Sequence, residues 1–289
     1  MGDFVGHVLP GTLLLAVGLW RVWASIARFA ADPPAFRVRA WNPVPVPSGP
    51  HRLLELYVVA GGAFLDMCVE LFYSNALRVF VAGGVDPAHL NGLEHAGMLL
   101  MFFLFGALAL LSQKTRWYLR QSDGALSLLL LFSFHSTTHM GLEGYYHRLL
   151  LVLLGLCILA VVLGALLPAS FPADLGAGVL IAVQGLWFYQ TALTLYGPML
   201  PAGCARRFDS PGADARVECR GAAQERAEQL ANFQLFGLVF LAFAYVLGCY
   251  GVAAARYGHL DLTTAHEKHV AAMQCRGEAS AAAMEECTV

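Results

Sequence analysis

Residues 147–167, HRLLLVLLGLCILAVVLGALL, decide the fold class of this chain. After His147 and Arg148 the run contains no ionisable residue other than Cys157. A helix of about 20 apolar residues has the length that crosses the hydrocarbon core of a bilayer. The whole chain has a matching composition, because 58% of its 289 residues are hydrophobic, only 13% are charged and the mean hydropathy is +0.60. We therefore expect an integral membrane protein.

The composition also excludes other classes of protein. The 29 glycines follow no collagen-like period, and 7 cysteines are too few for a disulfide-dense secreted scaffold of this length. Abundant apolar residues with little net charge argue against disorder. A formal charge of −2 provides no basic surface for nucleic acid, so we expect the lipid bilayer rather than DNA or RNA as the surroundings.

Long apolar runs recur along the chain. Because backbone groups find no water in lipid, helices are the expected way to cross it. We predict an all-α bundle with seven transmembrane helices over residues 1–255 and a cytoplasmic C-terminal tail over 256–289, or six helices if the fourth or fifth run is re-entrant. The seven runs are 8–29, 53–81, 95–111, 124–140, 147–167, 175–198 and 232–255.

The distribution of basic residues predicts the orientation of the bundle. With seven spans, the connections and C-terminal tail on one face carry nine Lys and Arg residues, and the connections on the opposite face carry five. The positive-inside rule then places the N-terminus on the luminal or extracellular side and the C-terminus in the cytoplasm. The 199–231 connection, on the outer face, contains Cys204 and Cys219. These two thiols either form a disulfide or are unrelated, and the sequence leaves both interpretations open.

Ionisable residues inside the predicted spans are the candidates for function, because a charge in the membrane is costly unless it has a partner. Asp66 and Glu70 lie one helical turn apart on the second span, which places both carboxylates on one face. His95 lies at the entrance of the third span. In the predicted orientation, Glu70 and His95 are at similar depth in the outer half of the membrane.

The fourth and fifth spans bring further histidines to the same level. His135 and His139 have i, i+4 spacing near the end of the fourth span, and His147 opens the fifth. A predicted turn between the two spans carries Glu143. His7, at the start of the first span, lies on that side too.

Imidazole and carboxylate groups together suit zinc, which takes nitrogen and oxygen ligands in tetrahedral sites. We therefore predict a zinc site. Its ligands would be His95, His135, His139, His147 and Glu70. Glu70 and Glu143 are the candidate catalytic carboxylates, acting as ligand or as general base on bound water. Two other interpretations fit the same residues: a neutral hydrogen-bonded network that locks helices together, or a path for protons or ions.

Several segments resemble the transmembrane protein 45 family, and one of them resembles its plant-type branch. The resemblance covers nearly all of residues 1–255 and implies a multi-pass protein of the endomembrane system or plasma membrane, without implying a reaction. The segments are GHVLPGT at 6–12, GLW at 18–20, LEHA at 93–96 and QGLWF at 184–188, and for the plant-type branch HSTTHMGLEGYYH at 135–147.

Three functional hypotheses follow from the sequence. The first is a zinc-dependent membrane hydrolase of a lipid-like substrate, either a lipid or an acyl amide; seven-span lipid hydrolases with intramembrane histidines provide an analogy of fold only. The second is a non-enzymatic scaffold or trafficking protein with a structural polar cluster. The third is a proton or ion transporter, although neither broken helices nor paired repeats are recognisable. The sequence contains no Gly-x-Ser-x-Gly motif and no phosphate-binding glycine loop.

Overall fold

The computed structural model describes residues 2–45, 49–73, 77, 80–81, 83–85, 87–115, 139–208 and 215–285. Within these ranges the backbone forms six α-helices and two β-hairpins. The helices are α1 (Gly2–Ala31), α2 (Leu54–Cys68), α3 (Pro87–Thr115), α4 (Gly141–Leu166), α5 (Phe171–Thr191) and α6 (Ala222–Glu285). A π-helical turn extends α2 over Val69–Tyr73, and another extends α5 over Ala192–Tyr196.

Five helices of the described chain are long and apolar enough to cross a membrane, which makes this a multi-pass membrane protein. Their apolar segments are Phe4–Ala31, Gly92–Gln113, Gly141–Leu166, Phe171–Tyr196 and Ala222–Gly258. The helix α2 is not among them: it is 15 residues long, and with its π-helical turn it carries three acidic residues, Glu55, Asp66 and Glu70. The predicted run 124–140 lies outside the described residues except for its last two positions, so the count of seven remains a prediction.

Several predicted boundaries change in the structure. The second run is expected to reach residue 81, but its last residues form strand β1 (Phe80–Val81), which pairs with β2 (Gly84–Val85); the last described helical residue before them is Tyr73. The helix α4 starts at Gly141, before the predicted start at His147, so Glu143 belongs to a helix and not to a turn. Hydropathy identifies the apolar part of a helix that lies in lipid. The helical hydrogen bonds of the backbone continue into polar residues beyond that part.

Close packing of α1 on α5 holds the centre of the bundle together. A Cβ atom at Gly185 would lie 2.5 Å from the Leu15 nitrogen, and one at Gly18 would overlap the backbone of Ala182. Small residues let two membrane helices approach at their backbones and gain van der Waals contact. This contact fixes the start of α1 relative to the end of α5, where the polar residues lie.

An aromatic pair joins α4 to α5. Tyr146 and Trp187 are both fully buried, and their rings stack with centroids 4.9 Å apart. The Trp187 indole also donates a hydrogen bond to the Tyr146 carbonyl oxygen at 3.1 Å. A buried Trp with a satisfied N–H is a rigid spacer, so the first turns of α4 are held at a defined distance from α5.

The far end of α1 is closed by buried ion pairs. Arg21 donates to Glu55 Oε1 at 2.8 Å, and the Asn42 backbone N–H donates to Glu55 Oε2 at 2.8 Å. Arg28 pairs with Asp174 at 2.5 Å. These bonds tie the proline-rich connection after α1 to the starts of α2 and α5, and they leave Glu55 with a partner on each oxygen.

The connection between α5 and α6 is a disulfide-closed hairpin. Its strands β3 (Cys204–Phe208) and β4 (Ala215–Cys219) pair antiparallel, with Cys204 opposite Cys219. The two cysteines form a disulfide, which decides between the alternatives that the sequence left open. The hairpin packs onto the start of α4 through Val217, which joins the core cluster around Leu142.

Candidate functional site

A cluster of polar side chains lies where the starts of α1 and α4 meet the ends of α2 and α5. Four of its members are nearly buried, with exposed fractions between 5% and 9%: His7, Glu70, Glu143 and His147. Three others complete it, namely His95 on α3, His139 before α4 and Tyr196 at the end of α5. Five segments of the chain therefore contribute to one site.

His7 lies at the centre of this cluster. Its ring centroid is 5.1 Å from that of Tyr196, 5.9 Å from that of His147 and 6.3 Å from that of His95. The rings of His95 and His147 both stand nearly perpendicular to His7. These three imidazoles and the Tyr196 ring therefore lie close together around His7.

Glu70 reaches this region through a gap that a glycine provides. Its Oε2 lies 3.8 Å from His95 Nδ1. A Cβ atom on Gly6 would lie 2.7 Å from Glu70 Oε1, well inside van der Waals contact. The missing side chain at Gly6 thus lets the carboxylate lie against α1, next to His7.

His147 is held in one tautomer by its own helix. Its Nδ1 lies 2.9 Å from the carbonyl oxygen of Glu143, one turn earlier. Because a carbonyl oxygen only accepts, the proton of the neutral ring is on Nδ1 and the lone pair is on Nε2. Histidine ligands of metals are commonly oriented by such a bond on the opposite nitrogen.

A second group of contacts surrounds Glu143. Its Oε1 accepts a hydrogen bond from the Tyr196 hydroxyl at 2.8 Å and lies 2.9 Å from His139 Nδ1. The His139 ring stacks on His147, with centroids 4.1 Å apart and planes inclined by 13°. A Cβ atom at Gly144 would overlap the His139 carbonyl, so glycine is needed for this approach.

The predicted site residues are therefore partly brought together. Glu70, His95 and His147 approach one another around His7, and His139 contacts Glu143. His135 lies outside the described residues. His139 is not helical here, since it lies in the extended segment that precedes α4.

Two residues of the cluster, His7 and Tyr196, are absent from the predicted ligands and catalytic residues. The sequence places His7 at the same depth as the predicted ligands, and that shared depth is the signal by which His7 could have been counted among them. Tyr196 gives no signal in the sequence, because its contact with Glu143 spans 53 positions and depends on the π-helical turn that ends α5.

The chemistry of the site is that of imidazole and carboxylate in a largely buried setting. Such groups can bind a cation or exchange a proton. Among the residues that the structure describes, no three His, Cys, Asp or Glu side chains are placed closely enough to hold a metal ion as they stand.

Comparisons with known proteins show two similarities. A family described as "Family of unknown function (DUF716)" matches residues 123–251. The chain is also 25% identical over 215 residues to transmembrane epididymal protein 1A of Mus musculus, which covers 69% of each chain. The matched family range includes His139, Glu143 and His147. The chain is thus similar to a family of unknown function and to a transmembrane protein.

Proposed function

We propose that this chain is a zinc-dependent membrane hydrolase of a lipid or acyl amide. In this proposal His7, His95 and His147 would hold the zinc, and Glu70 would lie beside the fourth position, which stays open for water. The observation that carries it is the approach of three imidazoles and one carboxylate from four helical segments to one buried region. Polar groups in a membrane bundle are costly, and their convergence favours a functional site.

The spacing of the rings supports this assignment. With Zn–N bonds of about 2.0–2.1 Å, two imidazoles in a tetrahedral site have centroids roughly 5 Å apart. His7 lies 5.9 Å from His147 and 6.3 Å from His95. Each pair would close by about 1 Å on binding the ion, through rotation of the His7 and His95 side chains, since His147 is held by the Glu143 carbonyl.

The remaining residues take distinct roles in the proposal. A bound zinc ion would supply a nucleophile by lowering the pKa of a water molecule to about 7. Glu143, held by Tyr196 and His139, would be the general base of the site. His139 acts through Glu143, because near-parallel stacked rings cannot both direct in-plane lone pairs at one ion. His135 remains a predicted further ligand.

The proposal includes an orientation and a family. The Cys204–Cys219 disulfide supports a luminal or extracellular position for the α5–α6 hairpin, because disulfides persist in oxidising compartments. The cluster would then open to that side, with the N-terminus there and the tail in the cytoplasm, in a seven-span bundle of the endomembrane system or plasma membrane. Kinship with the transmembrane protein 45 family, plant-type branch, is part of the proposal.

The test is the zinc content of the full-length chain, purified in detergent, stripped with chelator and reloaded with zinc. We expect about one zinc per chain, as in a single tetrahedral site, and loss of it in His7→Ala and His147→Ala. His51→Ala is the matched control, since His51 is exposed on a short turn at Pro50–Leu53. Release of fatty acid from N-acyl lipids in nanodiscs should follow zinc content. A wild-type chain that holds no zinc would overturn the proposal.

A structural polar network is the competing function, and the contacts already made by Glu143 favour it. In that case the chain is a non-enzymatic scaffold or trafficking protein, zinc content is zero and His147→Ala lowers only stability. An ion transporter would instead give pH-dependent flux in vesicles that Glu70→Gln abolishes.

A further inference from the structure

An apolar cleft of about 380 Å³ lies between α1, α5 and α6. Its lining includes Leu15, Leu19 and Val22 on α1, Leu186 on α5 and Ala244 on α6. The three residues of α1 recur every three or four positions, so they belong to one face of that helix. No residue of the polar cluster lines the cleft, and its volume is in the range of ligand pockets.

The cleft lies near the middle of the membrane-spanning segments. Its lining residues fall within 15–22 of the segment Phe4–Ala31, within 179–186 of Phe171–Tyr196 and within 241–245 of Ala222–Gly258. The hydrocarbon core of a bilayer is about 30 Å thick, so a spanning helix has acyl chains on both sides of its midpoint. The surroundings of the cleft are therefore hydrocarbon chains rather than headgroups or water.

The chemistry of the lining excludes a polar occupant. Apart from Tyr245, the described lining consists of Ala, Val and Leu side chains. The Tyr245 hydroxyl already donates a hydrogen bond to the Leu19 carbonyl oxygen at 3.1 Å. A buried water needs about two to four polar partners, and this lining does not provide them. An empty cleft would lose the van der Waals contacts of its walls, so an apolar occupant is favoured.

The width of the cleft decides which apolar occupant fits. From Leu15 to Val22 the cleft follows α1 for seven residues, or roughly 10 Å at the helical rise. Over that length, 380 Å³ corresponds to a cross-section of about 38 Å² and a width of roughly 7 Å. An α-helix with its side chains is about 10–12 Å wide, so a helix of a second copy or of another protein is too wide. A single hydrocarbon chain is narrower than the cleft.

We propose that this cleft binds one acyl chain of a membrane phospholipid. At this level α6 passes from one hydrophobic cluster to the next, because Leu238 packs on the cluster around Trp187 and Cys249 belongs to the cluster with Val22. The bound chain fills the space between these two contacts and joins α6 to α1 and α5. The proposal is independent of the proposed zinc site, since the two share no residue.

The experiment measures phospholipid bound to the full-length chain in detergent. The protein is stripped of lipid, titrated with dioleoyl phosphatidylcholine and followed by native mass spectrometry and thermal unfolding. We expect a saturable complex and a higher thermal midpoint with lipid, because a ligand of the folded state stabilises that state. Ala244→Trp places an indole in the cleft and should abolish both effects. Ala254→Trp is the matched control and should behave as wild type, since Ala254 is exposed on the same helix outside the cleft.

Each result supports or overturns the proposal. It fails if the wild type shows no saturable binding, if Ala244→Trp binds phospholipid equally well, or if a sterol displaces the phospholipid at equal concentration. A dimer that Ala244→Trp dissociates would also overturn it, in favour of a second copy in the cleft. If Ala244→Trp does not fold, wild type is labelled with phosphatidylcholine carrying a mid-chain diazirine. Label within 179–186 and 241–245 supports the proposal, and label confined to other segments overturns it. None of these measurements involves zinc, so the zinc proposal can fail while this one stands.

Discussion

Opening the Cys204–Cys219 disulfide should destabilise the candidate site through the hairpin that the disulfide closes. Arg206 on β3 donates one hydrogen bond from Nε to the Leu195 carbonyl at 2.6 Å and another from Nη2 to the Gly197 carbonyl. These two carbonyls flank Tyr196, whose hydroxyl binds Glu143. The disulfide closes the strand pair that carries Arg206, so its loss should free both the hairpin and the end of α5.

The expected magnitude follows from the size of the closed loop. The two cysteines are 15 positions apart, and closing a loop of about that size stabilises a fold by roughly 3 kcal/mol in the chain-entropy model. Each hydrogen bond from a charged donor such as Arg206 adds about 1.5–3 kcal/mol. Replacing both cysteines by serine should therefore cost about 3 kcal/mol, and Arg206→Met should cost a similar amount without opening the loop.

Hydrogen exchange and thermal unfolding of the purified chain, with and without reductant, are the measurements. Faster exchange should appear in residues 192–208 and in the first turn of α4, while the contact of α1 with α5 near Gly18 keeps its protection. The double serine variant should not respond to reductant, which makes it the control. If reduction leaves both the midpoint and the exchange at the end of α5 unchanged, the hairpin does not support Tyr196 and the reasoning is wrong.

Two further predictions concern packing and charge. Arg21→Met should lower the free energy of unfolding by about 3–5 kcal/mol, because buried Glu55 loses its cation and keeps only the hydrogen bond from the Asn42 N–H. Arg21→Met combined with Glu55→Gln should recover part of that loss in a double-mutant cycle of thermal unfolding, and strict additivity would contradict the pairing. Gly144→Ala should displace His139 from Glu143 and reduce the release of fatty acid, while Gly155→Ala on the same helix, where a Cβ meets nothing within 4 Å, should leave that release unchanged. Equal release by the two zinc-loaded variants would refute the role of Gly144.

The membrane helices could be predicted because hydropathy is a local property. The apolar run at 147–167 and the helix Gly141–Leu166 nearly coincide, since the side chains that make a helix soluble in lipid are adjacent in the chain. The common level of Glu70, His95 and His147 could also be predicted, because helical rise and alternating direction convert sequence position into depth. Depth alone, however, does not say which side of each helix faces inward.

What the sequence alone determined is the class of protein, the approximate position of its spans and the set of ionisable residues that share one depth. Only the tertiary structure decided which of these residues meet. The close approach of α1 to α5 sets the rotation of α1 about its axis, and this rotation brings His7 to the centre of the cluster. The stacking of His139 on His147 depends on the absence of a side chain at Gly144. Contacts of this kind join residues from different helices, and the rotation of each helix about its axis follows from packing against all of its neighbours.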